Sequence, residues 1–117
     1  EIAGKAALEN TFFSSLYSPD DTSDLNKDFV AEYKKAYNTN PDVFAALAYD
    51  STLLVAKAIE DAGSADPAKI AEAMAKIKGF KGVSGEVTFN EEHNPIKSAV
   101  IIEHKDGKQT FKTKVNP

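Results

Sequence analysis

The longest apolar stretch of the chain lies between Pro41 and Gly63, and its composition predicts a helix that is apolar on nearly every face. Within 43–59 the polar exceptions are Asp50, Ser51, Thr52 and Lys57. A surface helix of a small domain normally carries one apolar stripe and a broad polar face. This helix therefore needs more cover than 117 residues can supply, and we expect the chain to be part of a longer protein.

The ends of the long helix are marked by residues with a known capping chemistry. Asn40 can accept hydrogen bonds from free amides of the first turn, and Pro41 suits a first-turn position that needs no N–H. Gly63 suits the left-handed residue that ends a helix. The sequence therefore predicts a helix from Pro41 to about Ala62.

Two further helices are predicted on either side of the long one. Apolar residues recur at helical spacing from 24 to 37, after Thr22 or Ser23 as the capping residue. Asp66, followed by a proline, begins the other helix, which covers about 67–78 and ends at a glycine.

Outside the helices the apolar residues recur with a period of two, which predicts strands. Near the N-terminus, Phe12 and Phe13 lie in a short strand-like run that a turn-rich loop follows. The last part of the chain predicts three strands, over about 83–89, 98–103 and 109–115, with Asp106-Gly107 as a hairpin turn. The predicted fold class is α/β in the order β-α-α-α-β-β-β, with strand and loop over 1–22, three helices over 23–79 and three strands over 80–117.

Composition and charge exclude several functions. The chain has a net charge of −4 and a pI near 5.1, which argues against a nucleic acid partner. It contains no cysteine, and its two histidines, His93 and His104, lie in a polar region without a metal-ligand spacing. The glycine-containing segment 79–85 precedes a strand and not a helix, which predicts tight turns and no phosphate loop. We expect no catalytic residues, no metal and no cofactor, and hence no enzyme.

Asp50 is the one acidic side chain on an apolar helix face. At about 100° per residue, it lies about 20° from Val43 and about 40° from Leu54 around the helix. A carboxylate there must be paired or well hydrogen-bonded. It is either a satisfied core carboxylate that holds a neighbouring loop or a carboxylate at a cleft that binds a ligand ammonium group. Tyr49 would contact a ligand only if such a cleft wraps around the helix, and otherwise belongs to the core.

Several blocks of the sequence also match a known pattern, with their spacing kept over almost the whole chain. They are Phe29-x-x-x-Tyr33-x-x-x-Tyr37, Pro41-Asp42-x-Phe44-Ala45-Ala46-Leu47-Ala48-Tyr49-Asp50, Ala62-Gly63-Ser64-x-Asp66-Pro67, Phe80-x-Gly82-Val83-Ser84-Gly85-x-Val87-Thr88-Phe89-Asn90 and Lys97-Ser98-Ala99-Val100-Ile101-Ile102. Together these blocks resemble the solute-binding proteins of branched-chain amino acid ABC transporters.

The resemblance implies a two-lobed periplasmic-binding-protein type I fold that binds its ligand between the lobes. The chain resembles only the C-terminal third of that fold. Tyr49 and Asp50 match a Tyr-Asp pair of the family near the cleft, and Phe13, Ser14 and Tyr17 match its strand-to-hinge region. These five residues are the ligand-cleft candidates.

The function implied by the resemblance is that of the extracytoplasmic, amino-acid-binding component of an ABC importer, most typically for branched-chain amino acids. Its partners are then a small-molecule amino acid and the permease subunits, and its place is periplasmic or extracellular, with or without a lipid anchor on the part upstream of Glu1. We expect the chain alone to be an incomplete fragment without tight ligand binding. The alternatives are a fragment of a ligand-sensing receptor or regulator, and a stand-alone α/β module that self-associates through exposed apolar helix faces.

Overall fold

The computed structural model describes residues 4–117, which form the predicted α/β fold with helices and antiparallel strands. The helices are α1 (Gly4–Leu8), α2 (Asp24–Tyr37), α3 (Val43–Ala62) and α4 (Pro67–Ala75). The strands are β1 (Phe12–Ser15), β2 (Phe80–Gly82), β3 (Gly85–Phe89), β4 (Pro95–Lys97), β5 (Ala99–Lys105) and β6 (Lys108–Val115).

The three predicted helices and the N-terminal strand are all present, but the element order is longer than predicted. Helix α1 was not predicted, and the segment 80–117 contains five strands where three were expected. The two additional strands, β2 and β4, have three residues each. Such short strands do not show a period of two in the sequence.

The N-terminal cap of α3 differs from the prediction. Asp42, not Asn40, is the N-cap residue, and its carboxylate accepts a hydrogen bond of 2.8 Å from the backbone N–H of Ala45. Pro41 is buried and lies just before the helix. The cap at the other end is as predicted, since Gly63 has a left-handed backbone with φ of 55°.

Helix α4 begins as predicted and ends earlier. The Asp66 carboxylate accepts hydrogen bonds from two backbone N–H groups of the first turn, at 3.0 and 3.1 Å. The helix ends at Ala75 because the residues after it bond to β3 instead. The carbonyl of Ile77 accepts from Phe89 N–H at 3.2 Å, and Gly79 N–H donates to the Thr88 hydroxyl at 2.8 Å.

One three-stranded sheet has the order β1-β5-β6 and is antiparallel throughout. Phe13 of β1 lies opposite Ile102 of β5. The predicted hairpin turn between β5 and β6 is confirmed, since Asp106 and Gly107 both have positive φ, at 53° and 72°. That combination is the one a two-residue type I′ turn requires.

The other sheet has the order β2-β3-β4 and corrects the prediction of a single strand over 83–89. Gly82 pairs with Gly85, so Val83 and Ser84 form the turn of a hairpin between β2 and β3. Tight turns were expected in this segment. The position of the turn does not follow from the local pattern, because the group that holds it is the Asp50 carboxylate on α3.

Two small apolar clusters form the core of the described residues. Leu54, Ala58, Ile77 and Val87 join α3, α4 and β3. Tyr17, Ala46 and Val83 join the loop after β1 to α3 and the β2–β3 turn. The buried stripe of α3 is narrow, and large apolar side chains of this helix stay exposed: Phe44, Tyr49, Leu53, Val55 and Ile59.

We predict that the helix caps differ in their contribution to stability. Asp66→Ala removes two hydrogen bonds to the first turn of α4 and should lower the free energy of unfolding by about 1 kcal/mol. Ser23→Ala is the matched control, because Ser23 is at the N-cap of α2 but makes no side-chain capping bond. Urea denaturation of both variants checks this, and equal losses would contradict the assignment.

Candidate functional site

The Asp50 carboxylate is buried, with 3% of the residue exposed, and accepts three hydrogen bonds from the β2–β3 turn. One oxygen accepts from Val83 N–H at 2.8 Å. The other accepts from Ser84 N–H at 2.9 Å and from the Ser84 hydroxyl at 2.5 Å. A buried carboxylate is stable when several donors satisfy it, as they do here. Asp50 thus makes the loop-holding contacts that the sequence analysis gave as one of its two alternatives.

The backbone of Gly82 lies directly against the Asp50 carboxylate. A Cβ atom at this position would lie 2.5 Å from the Asp50 Cγ, well inside van der Waals contact. Glycine is therefore required by the close approach of the turn to α3, and the φ angle of Gly82 is not positive.

Lys97 extends this hydrogen-bond network towards β4. Its Nζ donates to the Ser84 hydroxyl at 2.7 Å, while that hydroxyl donates to Asp50. Burial lowers the pKa of the Lys97 ammonium group, the negative charge of Asp50 acts in the opposite direction, and the positive charge of Lys114 lowers it further. Ser84 thus links Asp50, in the middle of α3, to Lys97 of β4.

Two of the five candidates, Phe13 and Tyr17, line one groove at the end of β1. The groove has a volume of about 520 Å³. It lies between β1, the loop after it and the segment that leads into α3, and its other lining residues are Ser15, Ser18, Pro19, Asp20, Asn40, Pro41, Asp42, Val43, Ile102 and Gln109. Among the described residues that line it, only Asp20 and Asp42 carry a charge, so this part of the groove presents negative charge.

Tyr17 is almost fully buried beneath this groove. Its ring packs edge-on against Phe29, with 6.3 Å between the ring centroids. Within the described residues its hydroxyl has no hydrogen-bond partner. Burial, and then the charges of Asp21, Asp20 and Asp50, raise the pKa of the Tyr17 hydroxyl far above its usual value, so it stays neutral.

The loop after Tyr17 is tied to the first sheet by an ion pair. Lys114 Nζ of β6 lies 2.5 Å from the Asp21 carboxylate. Burial raises the pKa of the Asp21 carboxyl, but the hydrogen bond from Lys114, the backbone N–H of Ser23 and the charge of Lys114 outweigh it and leave the pKa below its usual value. The ion pair therefore stabilises the folded loop while Asp21 is ionised.

The other candidates lie apart from the groove. Ser14 is exposed on β1 opposite Ile101 and is not among the groove's lining residues. Tyr49 lies on another face of α3, 4.8 Å from Phe29 between ring centroids, where it lines an open apolar groove between α2 and α3. The structure therefore places Phe13 and Tyr17 in the groove and leaves Ser14 and Tyr49 outside its lining. Tyr49 packs on the same Phe29 ring that Tyr17 contacts, and Asp50 is bonded to the β2–β3 turn.

Sequence reasoning missed the partners of Asp50. Gly82, Ser84 and Lys97 all stand in the quoted family blocks, but the tight turns expected over 79–85 do not show that this segment meets Asp50. Phe44 was not a candidate either, although it is 76% exposed at the first turn of α3.

Two observations limit the chemistry of residues 4–117. Within this range, histidine, aspartate and glutamate side chains do not form a group of three or more that could hold a metal ion. In the same part of the chain, every helix lacks the combined length and apolar character needed to cross a membrane.

We predict that Gly82→Ala disturbs the Asp50 site specifically. The added methyl group collides with the carboxylate, so the free energy of unfolding should fall by about 1–3 kcal/mol and the amides of Val83 and Ser84 should exchange faster. Gly63→Ala is the control, since its Cβ would meet nothing within 4 Å. It should cost stability through its positive φ without changing exchange at the turn. Unchanged exchange of the two amides in Gly82→Ala would contradict the contact.

We predict that the Lys114–Asp21 ion pair contributes pH-dependent stability. The pKa of Asp21 is lower in the folded than in the unfolded chain, so its contribution is present above the ordinary aspartate pKa of about 3.9 and is lost as pH falls below it. The difference in unfolding free energy between the wild type and Lys114→Met should therefore shrink between about pH 6 and pH 3. Urea denaturation across this range measures it.

The control for this prediction is Lys57→Met, which breaks a more exposed ion pair with Asp61. Exposed pairs contribute little to stability. A pH dependence of the same size in both variants would contradict a larger contribution of the Lys114–Asp21 pair to stability.

Residues 1–109 match the family model described as periplasmic binding protein. The Leu/Ile/Val-binding protein homolog 1 of Brucella suis is 31% identical over 95 residues, which are 80% of this chain and 24% of that protein.

Two solved structures are similar over nearly the whole chain. A leucine-binding protein of Thermotoga maritima is 38% identical, with a TM-score of 0.83, over 95% of this chain and 32% of its own. The branched-chain amino acid transporter substrate-binding protein of Streptococcus pneumoniae, solved in complex with isoleucine, is 36% identical, with a TM-score of 0.83, over 98% of this chain and 33% of its own.

The chain thus spans about a quarter of the curated relative and about a third of the two solved proteins. The predicted resemblance to branched-chain amino acid binding proteins is confirmed. These similar proteins are named as binding proteins and not as enzymes. The chain belongs to the periplasmic binding protein family.

Proposed function

We propose that the chain is part of an extracytoplasmic solute-binding protein that binds an amino acid, typically a branched-chain one, and delivers it to the permease of an ABC importer. The observation that carries this proposal is the fit of nearly the whole chain onto a protein solved with isoleucine. The negative groove at the end of β1 supports it, because Asp20 and Asp42 suit a ligand with an ammonium group.

Within this proposal, the wall of the ligand cleft is formed by Phe13 and Tyr17. Phe13 is 39% exposed and lines the groove, so its ring is available to an aliphatic side chain. Asp50 acts behind this wall by holding the β2–β3 turn, since both of its oxygens already accept hydrogen bonds. Ser14 and Tyr49 do not line the groove and are not part of this proposed wall.

The whole protein in this proposal is longer than the 117-residue chain. The chain supplies one part of the cleft, and the rest of the cleft and the cover of α3 come from the remainder of a protein about three times as long, as judged from the solved relatives. A partial cleft buries too little of a ligand for tight binding. The 117 residues alone are therefore expected to bind an amino acid weakly.

We predict a difference between two adjacent phenylalanines in the longer protein. Phe13→Ala should weaken amino-acid binding about tenfold, which corresponds to about 1.4 kcal/mol of lost contact, with little loss of stability. Phe12→Ala is the matched control, because Phe12 is 55% exposed and does not line the groove. This variant should bind amino acids as tightly as the wild type. Calorimetry with leucine, isoleucine and valine measures the dissociation constants.

Three results would contradict this proposal. They are an equal effect of the two substitutions, no binding of these amino acids by the longer protein, and micromolar binding by the 117-residue chain alone. Asp50→Ala in the same protein should lower stability because two turn amides lose their acceptor. If Asp50 contacted the ligand directly, Asp50→Ala would in addition weaken binding at temperatures where the variant is fully folded.

A second candidate function is favoured by the exposed apolar residues of α3. Phe44 and Tyr49 are exposed at 76% and 45%, on a helix whose polar residues are few. In a stand-alone module these side chains would pair with a second copy of the chain. Light scattering over a dilution series of the 117-residue chain separates the two candidates, because a monomer at all concentrations excludes the self-associating module.

A further inference from the structure

Asn26, in the first turn of α2, is the largest side chain in the described residues that is completely buried. Asparagine is mostly an exposed residue, and a buried one needs hydrogen-bond partners. No role follows for it from the family resemblance or from the candidate cleft residues. Its surroundings show what it holds.

The side-chain amide of Asn26 donates to three backbone carbonyls of the loop after β1. The acceptors are the carbonyls of Asp21 at 2.8 Å, Pro19 at 3.1 Å and Ser18 at 3.3 Å. An amide group has two N–H bonds, so two of the carbonyls share one of them. One side chain therefore fixes three peptide groups within four residues of the loop.

This loop is one of two parts of the groove wall that lie outside helices and strands, the other being the segment 40–42. Ser18, Pro19 and Asp20 line the groove beside Tyr17, and none of them belongs to a helix or a strand. Inside the loop, Asp21 N–H donates to the carbonyl of Ser18 at 3.2 Å, and Asp20 N–H donates to the Ser18 hydroxyl at 3.2 Å. These bonds set a compact turn, and Asn26 joins that turn to α2.

We propose that Asn26 is a positioning residue for the candidate cleft: by fixing the Ser18–Asp21 loop, it sets the place of the Asp20 carboxylate and of Tyr17, and thereby the affinity of the groove for an amino acid. This inference rests on the proposed function. Asn26 itself does not line the groove, so its effect on the ligand passes through the loop.

The test compares Asn26→Ala with Ile77→Val, a substitution in the other apolar cluster. Both remove buried contacts, but only Asn26 bonds to the loop. Hydrogen exchange of the 117-residue chain should show the Asp21 amide exchanging about tenfold faster in Asn26→Ala than in Ile77→Val. Asn26→Ser keeps one hydroxyl donor, so the exchange rate of its Asp21 amide should lie between those of the other two variants. It replaces Asn26→Ala in the comparison if that variant does not fold.

The second measurement is the dissociation constant of the longer protein for leucine, isoleucine and valine. We expect binding about tenfold weaker in Asn26→Ala and unchanged in Ile77→Val at temperatures where both are fully folded. Equal dissociation constants in the two variants, or unchanged exchange at Asp21, would overturn the inference. A wild type that binds none of these amino acids would instead contradict the proposed function, while the exchange result still decides whether Asn26 holds the loop.

Discussion

The fold of the helical part depends on one buried carboxylate. Asp50 accepts hydrogen bonds from two successive backbone N–H groups and a hydroxyl of the β2–β3 turn, at a distance of 33 and 34 residues along the chain. Hydrogen bonds to an ionised acceptor are stronger than neutral ones, and their strength rises in a buried site. The same burial makes an unsatisfied carboxylate costly, so alternative conformations of the turn are disfavoured. The β2–β3 turn is thereby fixed against α3, beside the apolar cluster through which β3 packs on the same helix.

The small size of the surrounding residues follows from this contact. Ala46, one turn before Asp50 on the buried stripe of α3, has no exposed surface, and Gly82 offers only its backbone. A short side chain such as aspartate can reach the turn amides only if the hairpin lies close to the helix. The absence of a Cβ at Gly82 permits that approach, so the hydrogen bonds of the Asp50 carboxylate depend on the glycine.

The helix boundaries could be predicted because their causes are local. Gly63 and Asp66 act on backbone groups within a few residues, and the sequence shows such pairs directly. The shift of the α3 cap from Asn40 to Asp42 stays within the usual uncertainty of helix ends. The β2–β3 hairpin could not be predicted, since its turn is held by a residue on a distant helix. The early end of α4 has the same kind of cause, the hydrogen bond that Phe89 N–H of β3 donates to the carbonyl of Ile77.

In the candidate site, too, local features could be predicted from the sequence and long-range contacts could not. The direction of Asp50 into an apolar face was readable from the helix period, but the period does not say whether a turn or a ligand meets the carboxylate. The same criterion, a polar residue on an apolar helix face, also selects Asn26, which shares its side of α2 with Val30 and Tyr33 at intervals of four and seven residues. In both cases the helix places a short polar side chain where it can satisfy backbone groups of a neighbouring loop. A buried asparagine or aspartate on a helix of this chain therefore indicates hydrogen bonds to a neighbouring loop more than direct contact with a ligand.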